Sequence, residues 1–91
     1  MAKDFHELWA SIRADLTRAR ETLPDASAHH EAIRSYQECL DHNELELASD
    51  NLERYASAHP VSQEFWSTLR DTALRMELSD NAIRYGKKIS N

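Results

Sequence analysis

Ninety-one residues, with Gly86 the one glycine and Pro24 and Pro60 the two prolines, suit a single helical domain over 1–91. They exclude a strand-rich fold, which needs more turn punctuation, and a deep enclosed active site, since so short a chain buries only about 60–65% of its unfolded surface. A formal charge of −5 disfavours direct nucleic-acid binding and favours basic partners, and the lone Cys39 rules out an internal disulfide.

The N-terminal stretch MAKDFHELWASIR is charged and periodic, unlike a signal peptide or a membrane span, and a cytoplasmic location is expected. At about 100° per residue, Phe5, Leu8, Trp9, Ile12, Leu16, Ala19 and Leu23 fall on one stripe. They predict a long first helix that ends near Pro24, with Asp4 and Glu7 placed as a capping box. A second helix is expected to begin after Asp25 or Ser27 and run to about Asp41, with Ala32, Ile33, Tyr36, Cys39 and Leu40 inward.

Asn43 reads as an N-cap with Glu46 three residues on, opening a third helix that stops at His59 and Pro60. The short turn before it predicts an antiparallel hairpin of helices two and three. Val61, Ser62 and Trp66 match a hydrophobic staple around an N-cap. The fourth helix they begin turns Phe65, Trp66, Leu69, Ala73 and Met76 inward. Leu74 and Leu78 lie off that face and are expected to receive a short fifth helix ending at Gly86, after which residues 87–91 fray. The expected fold is all-α: a compact antiparallel bundle of four helices plus a short C-terminal fifth.

Helix three is the chain's most polarised segment. Leu45, Ala48, Leu52, Tyr55 and Ala56 form its docking face, while Glu46, Asp50 and Glu53 form a stripe on the opposite side. Leu47 lies there too, roughly 160° from Leu45. From Ser35 to Glu53 there is no Lys or Arg, against Glu38, Asp41, Glu44, Glu46, Asp50 and Glu53. Such a run can be a solvated helix face, and a single exposed leucine is ordinary. Clustered like charges nevertheless repel, and an apolar anchor among charges is a common interface pattern. The partner-binding candidates are therefore Glu38, Asp41, Glu44, Glu46, Leu47, Asp50, Glu53 and the flanking Arg54.

Catalytic and metal chemistry find little support. His29 and His30 are adjacent and diverge by about 100° on a helix. Cys39 and His42 have ligand-like spacing, but the turn after Asp41 separates them and no second pair is evident. His29 reads as a partly buried core histidine, and Trp9, Phe65 and Trp66 read as core aromatics. No nucleophile with base and oxyanion hole can be assembled, and no glycine-rich phosphate loop is present. No enzyme activity, cofactor or metal is expected.

The runs IRSYQECLDHNELELASDNLERYA (Ile33 to Ala56) and PVSQEFWSTLRDTALRMEL (Pro60 to Leu78) resemble the MafI-type immunity proteins of bacterial polymorphic toxin and contact-dependent inhibition systems. The resemblance rests on the His42, Asn43, Glu44 turn, the acidic helix with Ala48 and Leu52 inward, and the Ser62-capped helix with Trp66 and Met76. It implies a non-catalytic protein that binds a cognate toxin domain, expected to be a basic nuclease, as a heterodimer in the cytoplasm. Whether the free protein forms a homodimer stays open. Two other readings compete. One is a helical adaptor: Tyr36 to Pro60 looks like a tetratricopeptide-type unit, although no second copy about 34 residues away is evident in the sequence. The other is an acidic nucleic-acid mimic.

Overall fold

Amphipathic helices dominate because apolar residues recur every three to four positions and almost nothing interrupts them. The computed structural model describes residues 5–89, the side chain of Phe5 excepted. Asp4 of the expected capping box and residues 90–91 lie outside the described residues. Five α-helices follow in order: α1 (Phe5–Glu21), α2 (Glu31–Asp41), α3 (Leu45–Ala58), α4 (Gln63–Arg75) and α5 (Ser79–Gly86). A 3-10 turn at Asp25–His29 precedes α2. Among the described residues there is no strand.

The chain is all-helical, with a radius of gyration of 12.8 Å and extents of 44 × 31 × 17 Å. Its shape is a flattened body. Two helical hairpins, α2–α3 and α4–α5, pack on α1, which touches both α3 and α4. Leu16 and Ala19 of α1, Tyr36 of α2, Leu52 of α3, Phe65 and Leu69 of α4 and Tyr85 of α5 are buried in one shared core. Charged contacts tie α1 to both hairpins: Arg13 donates to the Leu40 carbonyl, and Arg75 pairs with the buried Asp15 at 2.7 Å.

The helix ends explain where sequence periodicity misleads. Asn43 is not the N-cap of α3. It sits at φ 59°, in the left-handed region, as the residue just past the α2 C-cap, and α3 is entered from Glu44 without a side-chain cap. Asn suits both roles, since its short amide serves as a cap and also tolerates left-handed backbone. The α2 start also shifts. Ser27 turns inward and donates to the Pro24 carbonyl at 2.6 Å, which closes the 3-10 turn. His30 then caps α2, its Nδ1 accepting from the Ala32 amide at 3.1 Å. Ser62 caps α4 as the pattern predicts, accepting from the Phe65 amide at 3.2 Å.

An internal repeat that side chains conceal is written in the backbone. At the first hairpin the amides of His42, Asn43 and Glu44 donate to the carbonyls of Glu38, Leu40 and Cys39. At the second, those of Met76, Glu77 and Leu78 donate to Thr72, Leu74 and Ala73, each pair shifted by 34 residues. Glu77 shares the φ of 59° found at Asn43. Both turns are the same left-handed C-terminal motif, which satisfies carbonyls left over by the ended helix. From Glu38 to Glu53 only Leu40/Leu74 and Ala48/Ala82 keep their identity across the shift. The recurrence is thus one of turn geometry, with no repeat evident in the sequence itself.

Other core assignments also change. Phe65 and Trp66 are buried, but Trp9 is 40% exposed and stands edge-on to the His6 ring at 5.6 Å. Its stripe runs past the end of the surface that α3 and α4 cover. Leu78 packs on the core, whereas Leu74 is 56% exposed. Beyond Gly86 the chain continues as a hydrogen-bonded turn, which sets Ile89 against the core.

Candidate functional site

The α2–α3 hairpin gathers the charge of the molecule. Residues 31–59 hold seven carboxylates and two arginines, so this span carries the whole formal charge of −5. Leu45, Ala48, Leu52, Tyr55 and Ala56 are buried, which anchors α3 by one side and fixes the direction of the other.

Glu38 and Asp41 on α2, Glu44 in the turn, and Glu46, Leu47, Asp50 and Arg54 on α3 are all exposed. Leu47 retains 49% of its surface. Arg54 lies seven residues on, on nearly the same line of the helix, and Glu46 and Asp50 both stand to one side of that line. Asp41 accepts a hydrogen bond from Gln37 Nε2 at 3.0 Å, and Asn51 Nδ2 donates to the Leu47 carbonyl at 3.1 Å.

Glu53 departs from the set. It is largely covered, and Arg84 of α5 holds both its oxygens, Nε to Oε2 at 2.6 Å and Nη2 to Oε1 at 2.8 Å. One carboxylate of the stripe thus has an internal partner, which sequence reasoning missed. A separation of 31 residues leaves no local signal for it. Asp50 feels the crowding directly: burial, then Glu46 and Glu53, hold its carboxyl above the usual range, with Arg84 offsetting part of the effect.

Cys39 lies between these groups. Its Sγ accepts from Asn51 Nδ2 at 3.5 Å. Burial, Glu44 and Glu38 push the thiol pKa up, which favours the unreactive protonated form. Cys39 and His42 form no ligand cluster: among the described residues no three His, Cys, Asp or Glu side chains stand close enough to hold a metal ion. His29 is exposed, contrary to expectation, and His30 takes the half-buried place. The His30 ring stands edge-on to Tyr55 and His59 at 5.1 and 4.9 Å, and Tyr55 stacks on His59 at 4.4 Å. Two cap duties account for the pair, since His59 Nδ1 donates to the Tyr55 carbonyl at 3.2 Å where α3 ends.

A shallow cleft of about 300 Å³ opens where both hairpin turns meet α1, lined by Trp9, Ile12, Leu45 and Met76 with the left-handed residues Asn43 and Glu77. Its walls bring together no nucleophile and base. Among the described residues no helix is long and apolar enough to cross a membrane. Compared with known protein families, curated proteins and solved structures, the chain has no match.

Proposed function

We propose that this protein is an immunity protein, a non-catalytic inhibitor that binds a basic toxin domain through the outer face of α3. The observation that carries the reading is Leu47, a half-exposed leucine with Glu46 and Asp50 beside it on a helix docked by its opposite side. Such a face combines an anchor that excludes water with carboxylates that speed encounter. On this reading the first four helices act as an antiparallel bundle that holds α3 rigid, and α5 clamps its far edge through Arg84.

A nuclease suits the charge best, because its substrate groove must be basic to hold phosphate. Carboxylates over that groove would exclude the substrate, and opposite charge raises association rates to as much as about 10⁸–10⁹ M⁻¹s⁻¹ at low salt. The experiment is co-expression with the C-terminal domain of the product of the adjacent upstream gene. Co-purification together with rescue of growth is the expected result. Loss of both would shift the assignment to a second reading, a helical adaptor, which the 34-residue recurrence of the hairpin supports because that spacing is the period of tetratricopeptide arrays.

A further inference from the structure

One lateral contact joins the two hairpins, and the repeat relation carries it beyond the chain. Inside, the flank of α3 bearing Ser49 and Glu53 meets the flank of α5 bearing Arg84 and Tyr85. Ser49 Oγ lies 3.3 Å from Tyr85 Oη, and Arg84 clamps Glu53. Shifted by 34 residues, Ser49 and Glu53 correspond to Ile83 on α5 and Lys87 at its C-terminal cap, while Arg84 and Tyr85 correspond to Asp50 and Asn51 on α3. The giving flank of α3 therefore recurs on α5, and the receiving flank of α5 recurs on α3.

The recurrence on α5 faces solvent, and on α3 Asp50 does so while Asn51 is half-buried beside Cys39. Ile83 is 60% exposed where its counterpart Ser49 is fully buried, and Lys87 and Asp50 are exposed. Stacked helical hairpins bury their flanks only against a neighbour, and a unit that ends a stack presents a polar outer side. Here the order is reversed, with serine at the inner contact and isoleucine at the outer one.

We propose that a second copy of this chain supplies the neighbour, α5 of one copy docking head-to-tail on α3 of the next, with Lys87 against Asp50 and Ile83 against Asn51, one turn from the exposed Leu47. The charges match in the sense used internally: at Arg84–Glu53 the base comes from α5 and the acid from α3, and Lys87 with Asp50 repeats that order. Like-to-like pairing of two α5 faces would instead bring Arg84, Lys87 and Lys88 against their own copies and leave Leu47 bare. The contact joins two different surfaces, so it does not close on two copies and assembly grows with concentration. It also occupies the α3 face assigned to the basic partner, so partner and self-association exclude one another. Failure of self-association leaves the partner reading untouched.

Sedimentation velocity from micromolar to millimolar protein tests this with the wild type, Leu47→Glu, Ile83→Glu and an equimolar mixture of the two variants, each checked for helicity by circular dichroism. The expected result is concentration-dependent growth of the wild type, monomers for each variant alone, and dimers that grow no further for the mixture, where one intact α5 meets one intact α3. Should either variant lose helicity, Asp50→Lys and Lys87→Glu replace them, with association lost in each alone and regained in the double variant. A wild type that stays monomeric at millimolar concentration overturns the proposal. So does a wild type that stops at dimers, or a mixture that stays monomeric.

Discussion

Arg84 and Glu53, 31 residues apart, meet in two near-parallel hydrogen bonds of 2.6 and 2.8 Å. The guanidinium fork matches a carboxylate in this geometry and fixes orientation as well as distance. Glu53 is thereby withdrawn from the solvent-facing carboxylates of α3, and the two-turn helix α5, too short to be stable alone, gains a fixed position. Beside the ion pair, Ala82 and Tyr85 are buried in the core, so α5 is held by apolar contacts as well as by the charged one.

Their coupling is measurable. A double-mutant cycle with Glu53→Gln and Arg84→Met, read by urea unfolding, is expected to give about 1 kcal/mol, the upper end for partly exposed pairs. The coupling should shrink in high salt, where surface charges are screened. A coupling of zero at low salt would mean that the buried Ala82 and Tyr85 hold α5 without help from the ion pair.

The two left-handed residues carry unequal strain. Asn tolerates φ near 60°, whereas an ordinary L-residue such as glutamate pays roughly 1 kcal/mol there. Replacing Glu77 by Asn should raise stability by up to about 1 kcal/mol, or about 4–8 °C in a domain of this size. Replacing Asn43 by Glu should lower it by a similar amount. Thermal melts of the two variants check the pair, and equal and opposite shifts are the signature of equivalent turns.

Tyr36 and Tyr85 set the alkaline limit. Burial, the largest cause in both, raises each phenol above its ordinary value of 10.0, partly offset by hydrogen bonds with Thr17 and Ser49 respectively. The unfolded phenols ionise first, so above pH 10 the unfolded state binds fewer protons and stability falls as pH rises. The stability these groups contribute is fully present below their unfolded pKa. Urea midpoints should therefore fall above pH 10, and Tyr85→Phe should flatten that fall while leaving its size at neutral pH to the lost Ser49 contact.

Local rules were readable in the sequence wherever one residue answers to one neighbour a few positions away. Ser62 caps α4 and Leu45, Ala48 and Leu52 dock α3 because spacing alone decides both. Asn43 was misread because cap chemistry does not say which helix end it serves, and the His30 cap was overlooked. Trp9 and Trp66 share a helical period, yet only the extent of the facing helices decides that one is covered. The repeat was hidden for a different reason. Its hydrogen bonds are made by backbone, and a left-handed position filled by Asn in one turn and Glu in the other leaves almost no side-chain trace. Of the eight candidate partner contacts, seven lie on the surface, and Glu53 was lost to an arginine that no local pattern announces.

Asp50 separates stability from binding. Its carboxyl is held above the usual range because partial desolvation by neighbouring groups, then Glu46 and Glu53, disfavour the charge although the residue is exposed. The unfolded carboxyl therefore ionises at lower pH, and stability falls as pH rises through the folded pKa and stays reduced at neutrality. Asp50→Asn should raise stability at pH 7 by about 0.2–0.5 kcal/mol, the size of one like-charge repulsion on a helix. If the carboxylates steer a basic partner, the same change should slow association, most visibly at low salt. Leu47→Asp should instead speed dissociation, with stability altered by no more than about 0.5 kcal/mol because the side chain is half exposed. Stopped-flow binding to the toxin domain, run beside urea unfolding of each variant, resolves the two effects. A more stable Asp50→Asn with unchanged association rate would place the partner elsewhere, and the crowded carboxylates of α3 would then be a cost relieved only by self-association.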